Sequence, residues 1–138
     1  MEDLEKFEPA KTTLLKFFHE MNEWNLYAYN YINKNGFNIQ TKEILIEKLK
    51  KIFDKFCSEK LYKDISVNCS EISEYDVKFL LIDKYEIITK NKIQFFITEL
   101  NRSKNTYKYT MVYKHTLWLV EQKQVYRSFN DKWEKSYI

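Results

Sequence analysis

The chain has very few residues that break or bend regular secondary structure: one glycine, Gly36, and one proline, Pro9, in 138 residues. Loops of the G-x-G-x-x-G or Walker type need several glycines, because their backbone must approach the phosphates of a nucleotide closely. A nucleotide loop of this kind is therefore excluded, as is a glycine-rich linker. The length fits one domain, and we expect residues 1–138 to form it.

An excess of charge of one sign is also missing. The formal net charge is only +3, and the lysines alternate with acidic residues along the chain. Arginine, the residue best suited to grip phosphates and read bases, occurs only as Arg102 and Arg127. This pattern favours a solvated surface over a nucleic-acid-binding patch, so we expect no nucleic-acid partner.

Cysteine and long apolar runs are scarce too. Cys57 and Cys69 form no C-x-x-C pair and have no histidine at metal-ligand spacing, which favours two reduced structural thiols. No stretch approaches 18 consecutive apolar residues, and the N-terminus lacks the basic and apolar segments of an export signal. We expect a cytoplasmic protein with no membrane partner, no metal and no cofactor.

Helical periodicity fills the first part of the chain. Pro9 suits the first turn of a helix that ends near Gly36, and Thr41 is predicted to be the N-cap of a second helix. The apolar residues of this second helix fall on one stripe, as expected for a helix packed on a core: Leu45, Leu49, Ile52, Phe53 and Phe56.

The second part of the chain alternates with a period of two, which is typical of strands. Four strands are predicted, at residues 77–88, 92–100, 105–113 and 117–126. In the third, Tyr107 and Tyr109 share one face with Met111. Helices followed by an antiparallel meander predict an α+β fold, with N-terminal helices packed on one face of the sheet.

The stretch "FFHEMNEWN" raises the question of a metal or acid/base site, because His19, Glu20 and Glu23 lie close together. At about 100° per residue, His19 and Glu23 fall roughly 160° from Met21, on the side opposite the apolar seam. A catalytic zinc needs three protein ligands, and the other histidine, His115, is in a predicted turn. We therefore predict a solvent-facing pair, and an interior of rings and aliphatic side chains. The predicted seam contains Leu14, Phe17, Phe18, Met21, Trp24, Ala28 and Ile32.

Two details of the first helix add expectations. Glu20 lies one turn from Lys16, a spacing that suits an i, i+4 ion pair. Leu15 and Leu26 lie off the apolar seam. A helix that is apolar on two sides is usually sandwiched, so we expect this one between the sheet and the second helix.

Catalytic chemistry has little support in the sequence. No G-x-S-x-G elbow and no Ser–His or Cys–His spacing marks a nucleophile. A tyrosine and a buried carboxylic acid could still act together, with Tyr107 or Tyr109 beside Asp76 or Asp83. With eleven tyrosines in the chain such pairs arise easily by chance, so cross-strand packing is the favoured role and no catalytic residue is predicted.

Five stretches resemble the nuclear transport factor 2-like fold immunity proteins of bacterial polymorphic toxin systems. They are "FFHEMNEWN", "IFDKFCSEK", "YKYTMVYK", "LWLVEQK" and "DKWEKSYI", so the resemblance covers nearly the whole chain. The turn in "YKHTLW" departs from expectation because it has neither glycine nor asparagine. Residues 64–76 have no counterpart in the resemblance.

The resemblance implies a cone, in which a strongly curved antiparallel sheet wraps around the long first helix. It also implies that the protein binds a cognate toxin protein and neutralises it stoichiometrically, without catalysis, as a monomer or weak homodimer. Two alternatives stay open: a small enzyme or ligand-binding module that uses the cone cavity, and a structural homodimer formed through the outer face of the sheet. The cavity alternative requires a buried Asp, Glu or His beside a tyrosine.

The resemblance names no interface positions. Residue type and predicted exposure select five candidates for contact with the toxin: Arg102, Lys104, Tyr107, Arg127 and Trp133.

Overall fold

A computed structural model describes residues 2–101 and 104–138, so Arg102 lies outside the described residues. Three helices precede five strands, with one 3-10 turn between them. The elements are α1 (Glu2–Asn35), α2 (Ile39–Phe56), α3 (Glu59–Tyr62), the 3-10 turn (Val77–Phe79), β1 (Leu80–Thr89), β2 (Lys92–Glu99), β3 (Thr106–Lys114), β4 (Leu117–Arg127) and β5 (Lys132–Lys135).

The strands form one antiparallel sheet in the order β1-β2-β3-β4-β5. Irregular register marks two points in β1, around Asp83 and Ile88, and one in β4, at Glu121. Such bulges bend a strand and increase its twist. The predicted α+β arrangement of helices on an antiparallel meander is confirmed.

Helix α1 buries the predicted seam against the sheet and α2, except that Ile32 is only partly buried. The helix starts earlier than predicted, at Glu2, so Pro9 lies inside it. The turn before Pro9 is held by Phe7, which is buried with its ring 5.6 Å from that of Trp118. Gly36 ends the helix as predicted, with a positive φ of 79°.

Other details of α1 differ from the predictions. Glu20 pairs with Lys55 of α2 at 3.0 Å instead of with Lys16. Leu15 packs against the core, but Leu26 is 47% exposed, so the predicted sandwich holds for only one of these two leucines.

Helix α2 begins three residues before the predicted start. The N-cap is Asn38, whose side-chain oxygen accepts a hydrogen bond of 2.9 Å from the backbone N–H of Thr41. Thr41 is therefore a buried residue of the first turn, and its prediction as the N-cap was wrong. The predicted apolar stripe of α2 is buried.

Beyond α2 the chain covers part of one edge of the sheet. Cys57 forms a parallel bridge with Val120, and the backbone N–H of Ser58 donates to the carbonyl of Val120 at 2.9 Å. Strand β5 pairs only with the end of β4, from Gln124 to Arg127. The segment that leads into α3 thus lies beside the part of β4 that β5 leaves free.

The β3–β4 turn consists of His115 and Thr116, with φ values of 53° and 65°. A two-residue hairpin turn of this kind requires positive φ at both central residues, which is why Asn-Gly usually occupies it. Here the hairpin forms without asparagine or glycine. Thr116 is the unusual residue of the two, because β-branched side chains rarely adopt positive φ.

Candidate functional site

A charged lysine lies inside the sheet. Lys123 is opposite Tyr109 on the face that packs against α1, and its side chain is 0% exposed. The ammonium donates to Glu74 Oε1 at 2.9 Å, to the carbonyl of Tyr137 at 3.2 Å and to the hydroxyl of Tyr75 at 3.5 Å. The expected interior of rings and aliphatic side chains was therefore wrong.

Three aromatic rings surround the same ammonium. Lys123 Nζ lies 4.7 Å from the ring centroid of Tyr107, 5.2 Å from that of Tyr75 and 5.9 Å from that of Tyr109. Ring faces carry partial negative charge and attract cations at this range, most strongly where water is excluded. Carboxylate and rings together compensate the charge that burial would otherwise make costly.

The carboxylate of this cluster comes from Glu74, in the segment that the resemblance leaves unmatched. The hydroxyl of Tyr107 donates to Glu74 Oε2 at 3.2 Å and accepts from the amide of Asn105 at 3.2 Å. The carboxylates expected beside a tyrosine lie elsewhere: Asp76 caps the 3-10 turn, and Asp83 accepts from the Thr98 hydroxyl at the surface. A tyrosine–carboxylate pair exists, but its acid is not one of the two predicted.

Two segments are tied down around this cluster. The backbone N–H of Ser136 donates to the Lys123 carbonyl at 2.9 Å, which brings the C-terminus alongside β4. Asn25 of α1 exchanges two hydrogen bonds with the backbone of Ser70, of 2.9 and 3.0 Å. A cleft of about 310 Å³ remains beside Glu74 and Tyr137.

Burial raises the pKa of Tyr75 and of Tyr109 well above the usual value of about 10. The largest cause is loss of hydration of the phenolate, and the negative charge of Glu74 adds to it. Both hydroxyls therefore stay protonated in the folded protein at pH values where the unfolded chain loses these protons.

We expect the free energy of unfolding to fall as pH rises above about 10, because the folded state then holds more protons than the unfolded state. The slope for each such tyrosine is about 1.4 kcal/mol per pH unit until its folded-state pKa is reached. Urea denaturation between pH 9 and 11 measures this slope, and Tyr75→Phe should make it shallower. Equal slopes for wild type and variant would contradict the assignment.

The ionisable pair that raised the question of a metal site, His19 and Glu23, faces solvent as predicted. His19 and Glu23 form an i, i+4 pair of 3.4 Å with side chains 68% and 69% exposed. They line an open groove of about 610 Å³ between α1 and α2, together with Trp24, Tyr27 and Lys48. Within residues 2–101 and 104–138, no group of three or more His, Cys, Asp or Glu side chains is placed to hold a metal ion.

The structure brings three of the predicted contact residues to one end of the sheet. Lys104 is exposed just before β3, and β4 runs antiparallel to β3 and ends at Arg127. Arg127 pairs with Glu134 at 3.4 Å. Trp133 is half-buried against Phe96, with ring centroids 5.7 Å apart.

The expected exposure of Tyr107 was wrong, since only 4% of it is exposed. Alternate residues of β3 face α1, and Tyr107 belongs to that inner set. Sequence reasoning also missed Lys123 and Glu74. The sequence contained one indication of this site: Lys123 lies two residues before Val125, on a strand face that is otherwise apolar.

The profile of a family described as NTF2 fold immunity protein matches residues 9–137. The chain belongs to this family. Its resemblance to these immunity proteins and its NTF2-like α+β fold are thereby confirmed, and neutralisation of a toxin is its function.

A curated relative supports the same assignment. The chain is 30% identical to "Immunity protein RhsIA" of Dickeya dadantii (strain 3937) over 129 residues, which cover 91% of this chain and 93% of the relative. No solved structure matches this NTF2 fold immunity protein significantly. Among the described residues, no helix has the length and apolar character needed to cross a membrane.

Proposed function

We propose that this NTF2 fold immunity protein neutralises its cognate toxin by forming a stoichiometric complex in the cytoplasm, without any catalytic step. Family membership over residues 9–137 is the observation that carries the proposal. Inhibition by binding needs a rigid scaffold and a complementary surface. The chain provides a continuous core shared by the helices and the sheet.

The interior cluster is better explained as part of this scaffold than as an active site. The two oxygens of Glu74 accept from Lys123 and from Tyr107, and the Lys123 ammonium has three oxygen acceptors of its own. The carboxylate–tyrosine pair required by the cavity alternative thus exists, but its polar groups already bind one another. The enzyme or ligand-binding alternative is not favoured.

For the contact surface, we propose the end of the sheet that carries Lys104, Arg127 and Trp133, together with Arg102. Arginine and tryptophan are enriched among residues that dominate interface energies. Tyr107 would contribute from inside, by holding Glu74 and Asn105 near the start of β3.

Co-expression with the protein encoded by the neighbouring toxin gene tests this function. We expect the cells to survive. Gel filtration with light scattering should give the molar mass of a complex with one copy of each protein. Trp133→Ala should weaken the complex, while Phe37→Ala, at an exposed aromatic position between α1 and α2, serves as a control away from this surface. Cell death despite full expression of the folded chain would refute the proposal.

A further inference from the structure

A basic cleft of about 340 Å³ lies between α3 and the β3–β4 hairpin, at the opposite end of β3 and β4 from the contact residues proposed above. Its walls include Ser58, Lys60, Lys63, Lys114, His115 and Glu121. The lining contains three lysines and two acids, Glu59 and Glu121, and Lys92 lies next to it, so positive charge is in excess.

Glu121 is the bulge residue of β4 and has no residue opposite it in the β3 register, because Thr110 pairs with Gln122 and Met111 with Val120. Its side chain is 9% exposed. The ammonium groups of Lys60, Lys92 and Lys114 lie 3.8, 3.8 and 3.9 Å from its carboxylate oxygens.

Those distances matter because they exceed the 2.7–2.9 Å of a direct charge-assisted hydrogen bond. Three cations share one carboxylate without any of them binding it closely. The site therefore keeps donor capacity and an excess of positive charge, which a second carboxylate could use.

Ser58 lies in the wall of the same cleft. Ser58 is buried, and its hydroxyl has no hydrogen-bond partner among the described residues. An unsatisfied buried hydroxyl costs about 1–3 kcal/mol and calls for an explanation. The hydroxyl oxygen itself is covered by surrounding protein atoms, so it adds no donor to the surface of the cleft.

The hairpin tip fixes one wall of the cleft. His115, in the cleft wall, and Thr116 both have positive φ. A two-residue hairpin turn requires these φ values, so the turn itself sets the position of His115.

We infer that this cleft receives an acidic side chain, Asp or Glu, presented by the cognate toxin. The inference rests on the proposed function and assigns it a further contact. The carboxylate would lie between Lys60 and Lys114 and compete with Glu121 for the two lysines. A close, water-excluded charge pair slows dissociation of a complex more than a rim charge does.

The test measures binding of the toxin encoded by the neighbouring gene, produced separately by cell-free synthesis. Lys60→Glu and Lys114→Glu should each raise Kd about tenfold or more, and Lys42→Glu, the same charge change on an exposed position of α2, should leave it nearly unchanged. Glu121→Gln should lower Kd severalfold, since it removes the competing carboxylate while keeping the shape of the side chain. Thermal melts verify that each variant is folded.

The outcomes separate the two proposals. If the wild-type chain does not bind this toxin, the proposed function itself fails. If the wild-type chain binds and the lysine variants bind equally well, the cleft is not a contact site. A rise in Kd on Glu121→Gln would overturn the inference as well, because Glu121 would then face a basic group of the toxin. A different outcome is that the lysine variants lose binding of a DNA or RNA oligonucleotide that the wild-type chain binds, with toxin binding unchanged. The cleft would then be a phosphate-binding site, and the inference would be wrong.

Discussion

Replacing Lys123 with methionine should lower the free energy of unfolding by about 3–5 kcal/mol, although methionine fits the same space. Removing one member of a buried ion pair leaves the other charge in a poorly hydrated place, and that cost exceeds the worth of the pair itself. Glu74 would lose its 2.9 Å partner. Chemical denaturation followed by tryptophan fluorescence measures the change.

A double variant tells whether the cost comes from the stranded carboxylate. In Lys123→Met/Glu74→Gln the amide oxygen can still accept from the Tyr107 hydroxyl, and both charges of the buried pair are gone. We expect the double variant to be more stable than the two single losses added together predict. Strict additivity would mean that Lys123 and Glu74 act independently.

Lys135→Met provides the matched control on the neighbouring strand. Lys135 pairs with Asp64 at 2.6 Å, but its side chain is 52% exposed. Exposed ion pairs contribute about 0–1 kcal/mol, so this change should cost far less than Lys123→Met although its partner distance is shorter. Equal costs for the two lysines would contradict the role given to burial.

The elements of this fold could be predicted because their signals are local. The seam of α1 repeats every three to four residues, and the strand alternation around Tyr107 and Tyr109 needs only nine residues to be visible. Boundaries were less secure, since Asn38 and Thr41 are both good N-caps. Which of the two caps the helix depends on which side chain becomes buried, and in the structure Thr41 is buried.

The polar sites could not be read from the sequence because their members meet only in the folded chain. Glu74 and Lys123 are 49 residues apart, and Glu74 comes from a segment with no regular structure. The bulge at Glu121 also shifts the alternation of β4 by one residue. Strict alternation would place Glu121 and Lys123 on the same face of the sheet, and the bulge breaks this rule between them.

Truncation of two neighbours in the stretch "FFHEMNEWN" should change stability by very different amounts. Phe18→Ala should cost about 3–5 kcal/mol of stability, since it removes a fully buried ring and leaves a cavity. The ring of Phe18 lies edge-on 5.0 Å from that of Tyr109, so the same change loosens the contact between α1 and the sheet.

His19→Ala, one residue later, should change stability by no more than about 0.5 kcal/mol, because the imidazole projects into solvent beside Glu23. It should also leave protection against the toxin intact at full expression. A loss of protection with unchanged stability would place the α1–α2 groove in the toxin interface. A loss of stability above about 1.5 kcal/mol would instead mean that His19 has an interior partner. Either result would reopen the interpretation of this helix face as plain solvated surface.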